Sequence, residues 1–543
     1  MFPLVLAITA VGVFARLNSS TPTAGMTPQF LRFHGGGYDV AGATAHDSIG
    51  NFYVTGAADN QTSGSNFLVV KYGPEGNVVW RAHPSGTLGG KGLSIAVDRQ
   101  GNVYVAGYNS NLDYLTVKFD ANGIEQWSQR YNGPANGYDQ ATEIGVDSAG
   151  NIYTSGFSYG QGFDWTTLKY SSDGALLWER RHSGPGNWDD RIGDMALDAE
   201  GGLILTGFTK NTGDGRTNDV TTLKYNAEGN VIWERHFTET AISHEFANDM
   251  DVDERGNIYI TGTTAENHGP YVPSFPVTLK YDRDGNLLRT IRDEAAGGHS
   301  IVADNAGNFY VTGYFFALPD FSATSKYDSS ANRIWTTRLT PPSSSSLSRV
   351  MLAVDSLGNT FASSTIVEVS TGVGDYITIK YAFDGQELWQ HRFNGAGNGN
   401  DVVTTIMVDS VDNALVTGTS WGDYVSNGGT ANDILTLKFD GGIDPIPQPL
   451  EAPSHLHATS VSANQLRLEW QDNSNSESGF QIERCQGAGC TNFVNVTTVG
   501  PNVAGHVDGG LARNTTYTYR VRAFTVIGSS EYSNIASGRT SRK

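Results

Sequence analysis

Three sets of residues in this 543-residue chain carry chemistry at a regular spacing. The first is a lysine ahead of Tyr or Phe, at Lys71, Lys118, Lys169, Lys224, Lys280, Lys326, Lys380 and Lys438. An ammonium repeated beside turns that always carry Asp predicts a structural ion pair. The second set is Asp39, Asp139, Asp190 and Asp401, each opening a strand-like run. Four such carboxylates would ring the mouth of a central channel. Hard cations such as Ca2+ favour oxygen ligands of this kind, although Asp more commonly caps loops through backbone hydrogen bonds. The third set is aromatic. Trp188 and Trp421 fall in variable loops, Trp165 opens a strand, and Tyr138 stands nearby. An aromatic outside the packing pattern is free to stack on a sugar ring. These four aromatics and four aspartates are the candidate ligand site.

No catalytic residue, metal set or cofactor is assigned. The chain has no H-E-x-x-H, no G-x-S-x-G and no phosphate loop. The sialidase pattern S-x-D-x-G-x-x-W fails, because Asp173 directly precedes Gly174. The alternative to a binding protein is a polysaccharide-active enzyme using the channel-mouth aspartates, which would need paired carboxylates roughly 5 to 10 Å apart. A net charge of −20 excludes phosphate-backbone binding and adhesion to anionic lipid. Only Cys485 and Cys490 are present. They are close enough for a local disulfide, whose small loop adds roughly 2 kcal/mol at best.

The elements that position these residues recur. Units begin at Asp47, Asp98, Asp147, Asp198, Asp253, Asp304, Asp355 and Asp409, at steps of 49 to 55 residues. Each unit opens with a turn of the form Asp-x-x-Gly-Asn, in which Asp accepts a backbone hydrogen bond and Gly supplies positive φ. A second tight turn follows each Lys-Tyr or Lys-Phe. Four residues after its Gly stands Trp80, Trp127, Trp178, Trp233, Trp335 or Trp389; the fifth unit has Arg289, and the sixth has Ala331 in place of Gly. A tryptophan repeated in this way is a packing wedge. Runs such as Val103-Tyr104-Val105 and Ile258-Tyr259-Ile260 are strand-like. A period near 50 residues with four strands is a propeller blade.

The chain is therefore expected to be all-β, with an eight-bladed β-propeller over residues 26–443. Gln29 to Gly35 matches Trp127 to Gly133, the end of a blade without its beginning, while the eighth unit stops after Phe439. The N-terminal strand would complete that last blade and leave no open edge. Tight turns fall on one face; the variable loops fall on the other, where function normally sits. Residues 1–15 are an apolar run ending Val13-Phe14-Ala15, as in a signal peptide, and too short to span a membrane. Residues 16–25 are a Ser/Thr-rich linker and 444–452 a proline-rich one. From 453 to 543 the pattern alternates, as in Leu466-Arg-Leu468-Glu-Trp470, which predicts a β-sandwich.

The repeat resembles the bacterial SBBP β-propeller repeat, D-x-x-G-N-x-Y-V-T-G followed by D-x-x-T-x-K-Y-x-x-x-G-x-x-x-W. The tail resembles a fibronectin type III domain, with Trp470 at the core tryptophan and Leu511 to Tyr517 at the L-x-x-x-T-x-Y corner. This resemblance implies a secreted or surface-exposed bacterial protein; the chain is expected to be a monomeric binding scaffold whose partner is an extracellular polysaccharide or protein.

Overall fold

A computed structural model of the protein describes residues 28–33, 37–59, 65–86, 89–185, 188–210, 217–240, 243–266, 274–292, 298–315, 321–342, 344–395, 398–421, 432–441, 450–474, 477, 479–500, 503–525 and 528–543. The expected signal segment and the Ser/Thr-rich linker lie outside the described residues, as does most of the proline-rich linker. The chain divides into two units, Met1–Asp440 and Gly441–Lys543. Among the described residues the regular structure is entirely β.

The first unit holds eight antiparallel sheets. In the first, strands Val40–His46, Phe52–Asp59, Ser65–Tyr72 and Val78–Ala82 lie side by side in chain order. The next five sheets open with Gly90–Val97, Asp139–Val146, Arg191–Leu197, Ser243–Val252 and Ser300–Ala303. The seventh opens with two short strands, Ser345–Leu347 and Met351–Val354. The eighth opens with Val402–Val408, and its fourth place is taken by Gln29–Phe33, antiparallel to Asn432–Phe439. His34, also expected in that pairing, lies outside the described residues.

Burial follows strand position. The second strand Phe52–Asp59 is buried along nearly its whole length, whereas the fourth strand Glu125–Tyr131 alternates between half-buried and exposed. Middle strands covered on both faces need no alternation, which is why the sequence reads as continuous apolar runs there. Successive sheets share cores. Tyr53, Phe67 and Val69 of the first pack with Val103, Val105 and Leu115 of the second. Leu31, Leu415 and Ile434 of the eighth pack with Phe52, Leu68 and Val70 of the first.

The Asp turn works through both carboxylate oxygens. Asp98 Oδ1 accepts the amides of Gln100 and Asn102, each at 2.9 Å; Oδ2 accepts Asn102 Nδ2 at 2.8 Å and the Tyr104 hydroxyl at 2.9 Å. Sequence suggested that the repeated lysines pair with these aspartates. Lys224 Nζ lies 2.6 Å from Asp198, Lys380 3.6 Å from Asp355 and Lys169 3.9 Å from Asp147. A more widely repeated contact runs between sheets. Lys118, Lys169, Lys280 and Lys438 donate to the turn carbonyls of Ser172, Ala227, Ser329 and Pro74 in the following sheet, at 2.6 to 2.9 Å. For Lys438 the following sheet is the first.

Where a tryptophan faces the lysine, its N–H reaches the turn carbonyl of the next sheet: Trp80 Nε1 donates to Ala121 at 3.0 Å, Trp178 to Ala227 at 3.0 Å and Trp335 to Phe383 at 2.9 Å. Its ring lies on the turn glycine. A Cβ on Gly123 would sit 2.7 Å from the Trp80 ring, and one on Gly285 2.7 Å from Trp233. The two irregular positions in sequence are thereby explained together. Arg289 faces Lys280 where an indole is expected, and the next sheet's turn accordingly carries Ala331. With no indole overhead, a methyl group is tolerated even at φ 65°.

The second unit is a sandwich. Ser454–Ser462, Gln465–Gln471 and Gly505–Asp508 form one sheet; Val494–Val499, Gly479–Gln486 and Thr516–Thr525 lead the other. Trp470, Phe480, Ile482, Tyr519 and Val521 fill the space between. The Tyr517 hydroxyl accepts the Ala512 amide at 3.0 Å, closing the corner expected there. Cys485 and Cys490 are disulfide-bonded.

Two predictions arise. Deleting residues 26–36 removes the fourth strand of the eighth sheet and strips Leu31 and Phe33 from the shared core. Calorimetry is expected to lose the cooperative transition of the first unit; an unchanged melting profile refutes this role. Gly285→Ala is expected to cost about 2–4 kcal/mol, combining left-handed strain with overpacking against Trp233. Ala331→Gly, where no indole lies above, is expected to shift stability by less than about 1 kcal/mol, because strain relief opposes the added chain entropy. Equal effects in urea titrations would refute the indole account.

Candidate binding face

The four aspartates are buried caps. Asp39, Asp139 and Asp401 are 0 % exposed and Asp190 is 1 %. Asp139 Oδ2 accepts the Gly133 amide at 2.7 Å, Asp190 Oδ2 that of Gly184 at 2.7 Å, and Asp401 Oδ2 that of Gly395 at 2.6 Å. The other oxygen reaches back along the second strand of the same sheet: Asp39 to Asp59 N at 3.0 Å, Asp190 to Lys210 N at 2.7 Å, Asp401 to Trp421 N at 3.0 Å. Each backbone amide donates to the preceding sheet, as Asp39 N does to Asn432 O at 3.0 Å and Asp190 N to Phe163 O at 2.6 Å. Asp190 and Asp401 use both oxygens on backbone amides, whereas Asp139 Oδ1 is buried without a partner; all four are shut from water and so turned away from a ligand hydroxyl. The expectation that these aspartates line an open mouth is corrected. A Gly six residues before the Asp, as in Gly133 and Asp139, was the signal for capping.

The aromatics divide. Trp165 is 1 % exposed, packed with Tyr153, Leu203, Leu205 and Tyr225, so it is a core residue and no platform. Trp188 is 43 % exposed, with Lys210 Nζ 5.5 Å from its ring. Trp421 is half-buried against Gly399, and its ring lies 5.9 Å from that of Tyr38, which is 50 % exposed. Tyr138 is half-buried at 5.5 Å from Phe157 and 6.0 Å from Phe163, and Arg191 lies 4.9 Å from both phenylalanine rings. The candidate aromatics thus form separate stations at the loop ends: one on the third sheet, one on the fourth, one where the eighth meets the first. Tyr38, Phe157, Phe163 and Arg191 were not singled out in the sequence, although Gly37-Tyr38-Asp39 repeats Gly137-Tyr138-Asp139.

A second polar group lies among the first strands. Glu143, Asp194 and Asp249 occupy corresponding places on the third, fourth and fifth sheets, just after a bulge in each. Asp194 Oδ2 accepts Met250 N and Asp249 Oδ2 accepts Ile301 N, both at 2.8 Å. Arg349 Nη2 donates to the carbonyls of Asn248 at 3.3 Å and His299 at 3.2 Å. Burial, then the charge of Asp249, pushes the Glu143 carboxyl up to about 8 against the partial relief of Arg349. Burial followed by Asp249 and Glu143 raises Asp194 well above its ordinary range, and burial raises Asp251 to about 6. Among the described residues no group of three or more His, Cys, Asp or Glu is placed to hold a metal ion.

Comparison with known proteins matches residues 451–539 to the fibronectin type III domain and residues 246–270 to the beta-propeller repeat SBBP. An uncharacterized WD repeat-containing protein of Acanthamoeba polyphaga mimivirus is 29% identical over 105 residues, 16% of this chain and 7% of that protein. This chain therefore spans a small fraction of that relative. Among solved structures, Sqt1 from Chaetomium thermophilum shares the fold at 8% identity and a TM-score of 0.50, over 77% of this chain and 100% of that one. An Fn3-like protein from Clostridium thermocellum is 21% identical over 17% of this chain and 95% of its own, with a TM-score of 0.16. The chain carries a propeller repeat and a fibronectin type III domain, a combination that suggests a binding or scaffold protein. No helix among the described residues is long and apolar enough to cross a membrane.

The raised carboxyls fix a pH dependence. Glu143 and Asp251 bind protons more tightly folded than unfolded. Their contribution is fully present below their unfolded values and is lost as pH rises through about 6 and then about 8. The melting temperature is expected to fall between about pH 5 and pH 8, and Glu143→Gln, which keeps the neutral form, is expected to flatten that fall. An identical slope in the variant would show that Glu143 is not held protonated.

Proposed function

We propose that the chain is a secreted or surface-displayed binding protein whose eight sheets are the blades of one closed propeller. Its loop face grips an extended extracellular polysaccharide. Closure is supported by the junction of the eighth and first sheets, which has two bonds of the kind found at other junctions: Lys438 to Pro74 O at 2.6 Å and Asp39 N to Asn432 O at 3.0 Å. The observation that carries the ligand reading is the exposure of Trp188 at 43 % and Tyr38 at 50 %. The repeat tryptophans, by contrast, lie against the turn of the next sheet. Exposed rings at separate stations suit a polymer that lies across several blades better than a single small ligand. Lys210 beside Trp188, and Arg191 beside Phe157 and Phe163 at the neighbouring station, add hydrogen-bond donors for hydroxyl or carboxylate groups.

One observation favours the enzymatic alternative. Burial and then the charge of Asp249 raise the Glu143 carboxyl to about 8, the direction in which a general acid is tuned. Product analysis after incubation with polysaccharides separates the two readings: cleavage favours the enzyme, retention without cleavage the binder.

Affinity electrophoresis through polysaccharide-loaded gels tests the binding reading. Trp188→Ala is expected to weaken retention by about 1–3 kcal/mol with unchanged melting. Trp421→Ala is expected to weaken it too, with some loss of stability because its ring is packed on Gly399. A wild-type protein that no polysaccharide retards overturns the proposal and leaves a protein partner on the same face.

A further inference from the structure

Five Asn-Gly pairs fall among the described residues, at Asn122, Asn132, Asn136, Asn394 and Asn398. In such a pair the glycine nitrogen is placed to attack the asparagine Cγ, since no Cβ hinders its approach. The attack needs that nitrogen released from any hydrogen bond. Three of the five are tied. Gly123 N donates to Asp120 O at 2.9 Å, Gly133 N to Asp139 Oδ2 at 2.7 Å and Gly395 N to Asp401 Oδ2 at 2.6 Å. Gly137 and Gly399 differ: among the described residues neither amide has an acceptor.

The two untied pairs occupy matching places. N-G-P-A-N-G over 132–137 and N-G-A-G-N-G over 394–399 each lead to a capping aspartate, Asp139 and Asp401. In each, the first asparagine donates to the second: Asn132 Nδ2 to Asn136 Oδ1 at 3.0 Å, and Asn394 Nδ2 to Asn398 Oδ1 at 2.9 Å. A donor on that oxygen stabilises the negative charge it gains when Cγ is attacked. Asn136 and Asn398 are exposed, so water reaches them. The glycine that is tied and the asparagine that donates thus belong to one half of each loop, and the reactive group to the other.

We propose that Asn136 and Asn398 are sites of spontaneous deamidation, assisted by Asn132 and Asn394. The Gly137 nitrogen bonds to Asn136 Cγ and passes its proton to Nδ2. The Cγ–Nδ2 bond then breaks, releasing ammonia and closing an imide ring. Water opens that ring in one of two ways. Addition at Cγ gives aspartate; addition at the main-chain carbonyl carbon breaks the original peptide bond and gives isoaspartate, which adds a carbon to the backbone. Gly399 and Asn398 react likewise. The change falls on the loop face, because Gly137 leads into Tyr138 and Gly399 lies against the Trp421 ring. Both connections gain a negative charge, and the isoaspartate form also shifts the aromatic residue beside it.

The full chain is aged in mildly alkaline buffer, native or in concentrated urea, then digested in mild acid and mapped by peptide mass spectrometry. In the native protein the amide-to-acid mass shift is expected at Asn136 and Asn398. Asn122, Asn132 and Asn394 are expected to convert slower by about tenfold or more, since a hydrogen bond to the glycine amide must break first. In urea all five are expected to convert alike, which assigns the difference to the fold. Asn132→Ala, at an exposed position, removes the donor to Asn136 Oδ1 and is expected to slow Asn136 by about threefold or more. The proposal is overturned if Asn136 and Asn398 stay intact in the native protein while the urea sample converts. It is also overturned if native Asn132 and Asn394 convert as fast as they do, or if Asn132→Ala leaves the Asn136 rate unchanged.

Discussion

The carbonyl oxygen in each turn between third and fourth strands is where one sheet is fastened to the next. A lysine ammonium and, in most junctions, an indole N–H arrive at it from the preceding sheet. The ammonium also lies over the ring of an aromatic residue on its own second strand, as Lys169 does 4.7 Å from Tyr153. Lys169 and Lys326 are only 4 % and 2 % exposed, so each charge is held where an unpaired one would be costly. Carbonyl, carboxylate and ring together replace the lost water. The fastening requires a glycine beneath the indole, a tight turn to present the carbonyl, and an Asp turn to supply the carboxylate, which is why these residues recur as a set.

The same constraint explains what sequence could and could not disclose. Strands, turns and the incomplete last blade were legible, since each depends on local chemistry repeated many times. Capping and ligand-accepting aspartates use the same residue type at the same strand start. Only the partner separates them, and for Asp139 and Asp190 the partner is a glycine amide six residues back. Trp165 looked loop-like because it sits near a strand opening, yet pairing with His182 and Phe157 places it well inside the sheet. Glu143, Asp194 and Asp249 were overlooked because each stands alone in its own run. Their spacing of about one repeat is what brings them together in space, a signal carried by the period and not by any local motif.

Arg289 and Ala331 show how a departure propagates. In sequence they belong to different units and look like unrelated lapses; Arg289 holds the place facing Lys280 that an indole takes elsewhere, and Ala331 the turn position that such an indole would cover. Losing the indole removed the need for glycine, and the next turn changed with it. Gln29 is the corresponding loss at the junction of the eighth and first sheets, but there the consequence differs. Gly76 is kept, Leu31 and Gln29 crowd it in place of an indole, and the neighbouring turns carry Ile49 and Val411 in exposed positions.

A repeat whose every conserved polar group is committed to the adjoining sheet leaves little chemistry for recognition. The Asp-turn carboxylates, the turn carbonyls and most of the strand lysines are already engaged, and the repeat indoles are half-buried or buried against the next turn. Groups able to meet a partner are therefore found where the pattern lapses, in the loops that carry Trp188 and Tyr38. The acidic group of Glu143, Asp194 and Asp249 is intermediate. Two of its members are bound to backbone amides of the following sheet, while burial and the charge of Asp249 push the Glu143 carboxyl upward. Structural duty thus sets the limit on function residue by residue, and in a repeat fold the exceptions to the repeat are the places where that limit is lifted.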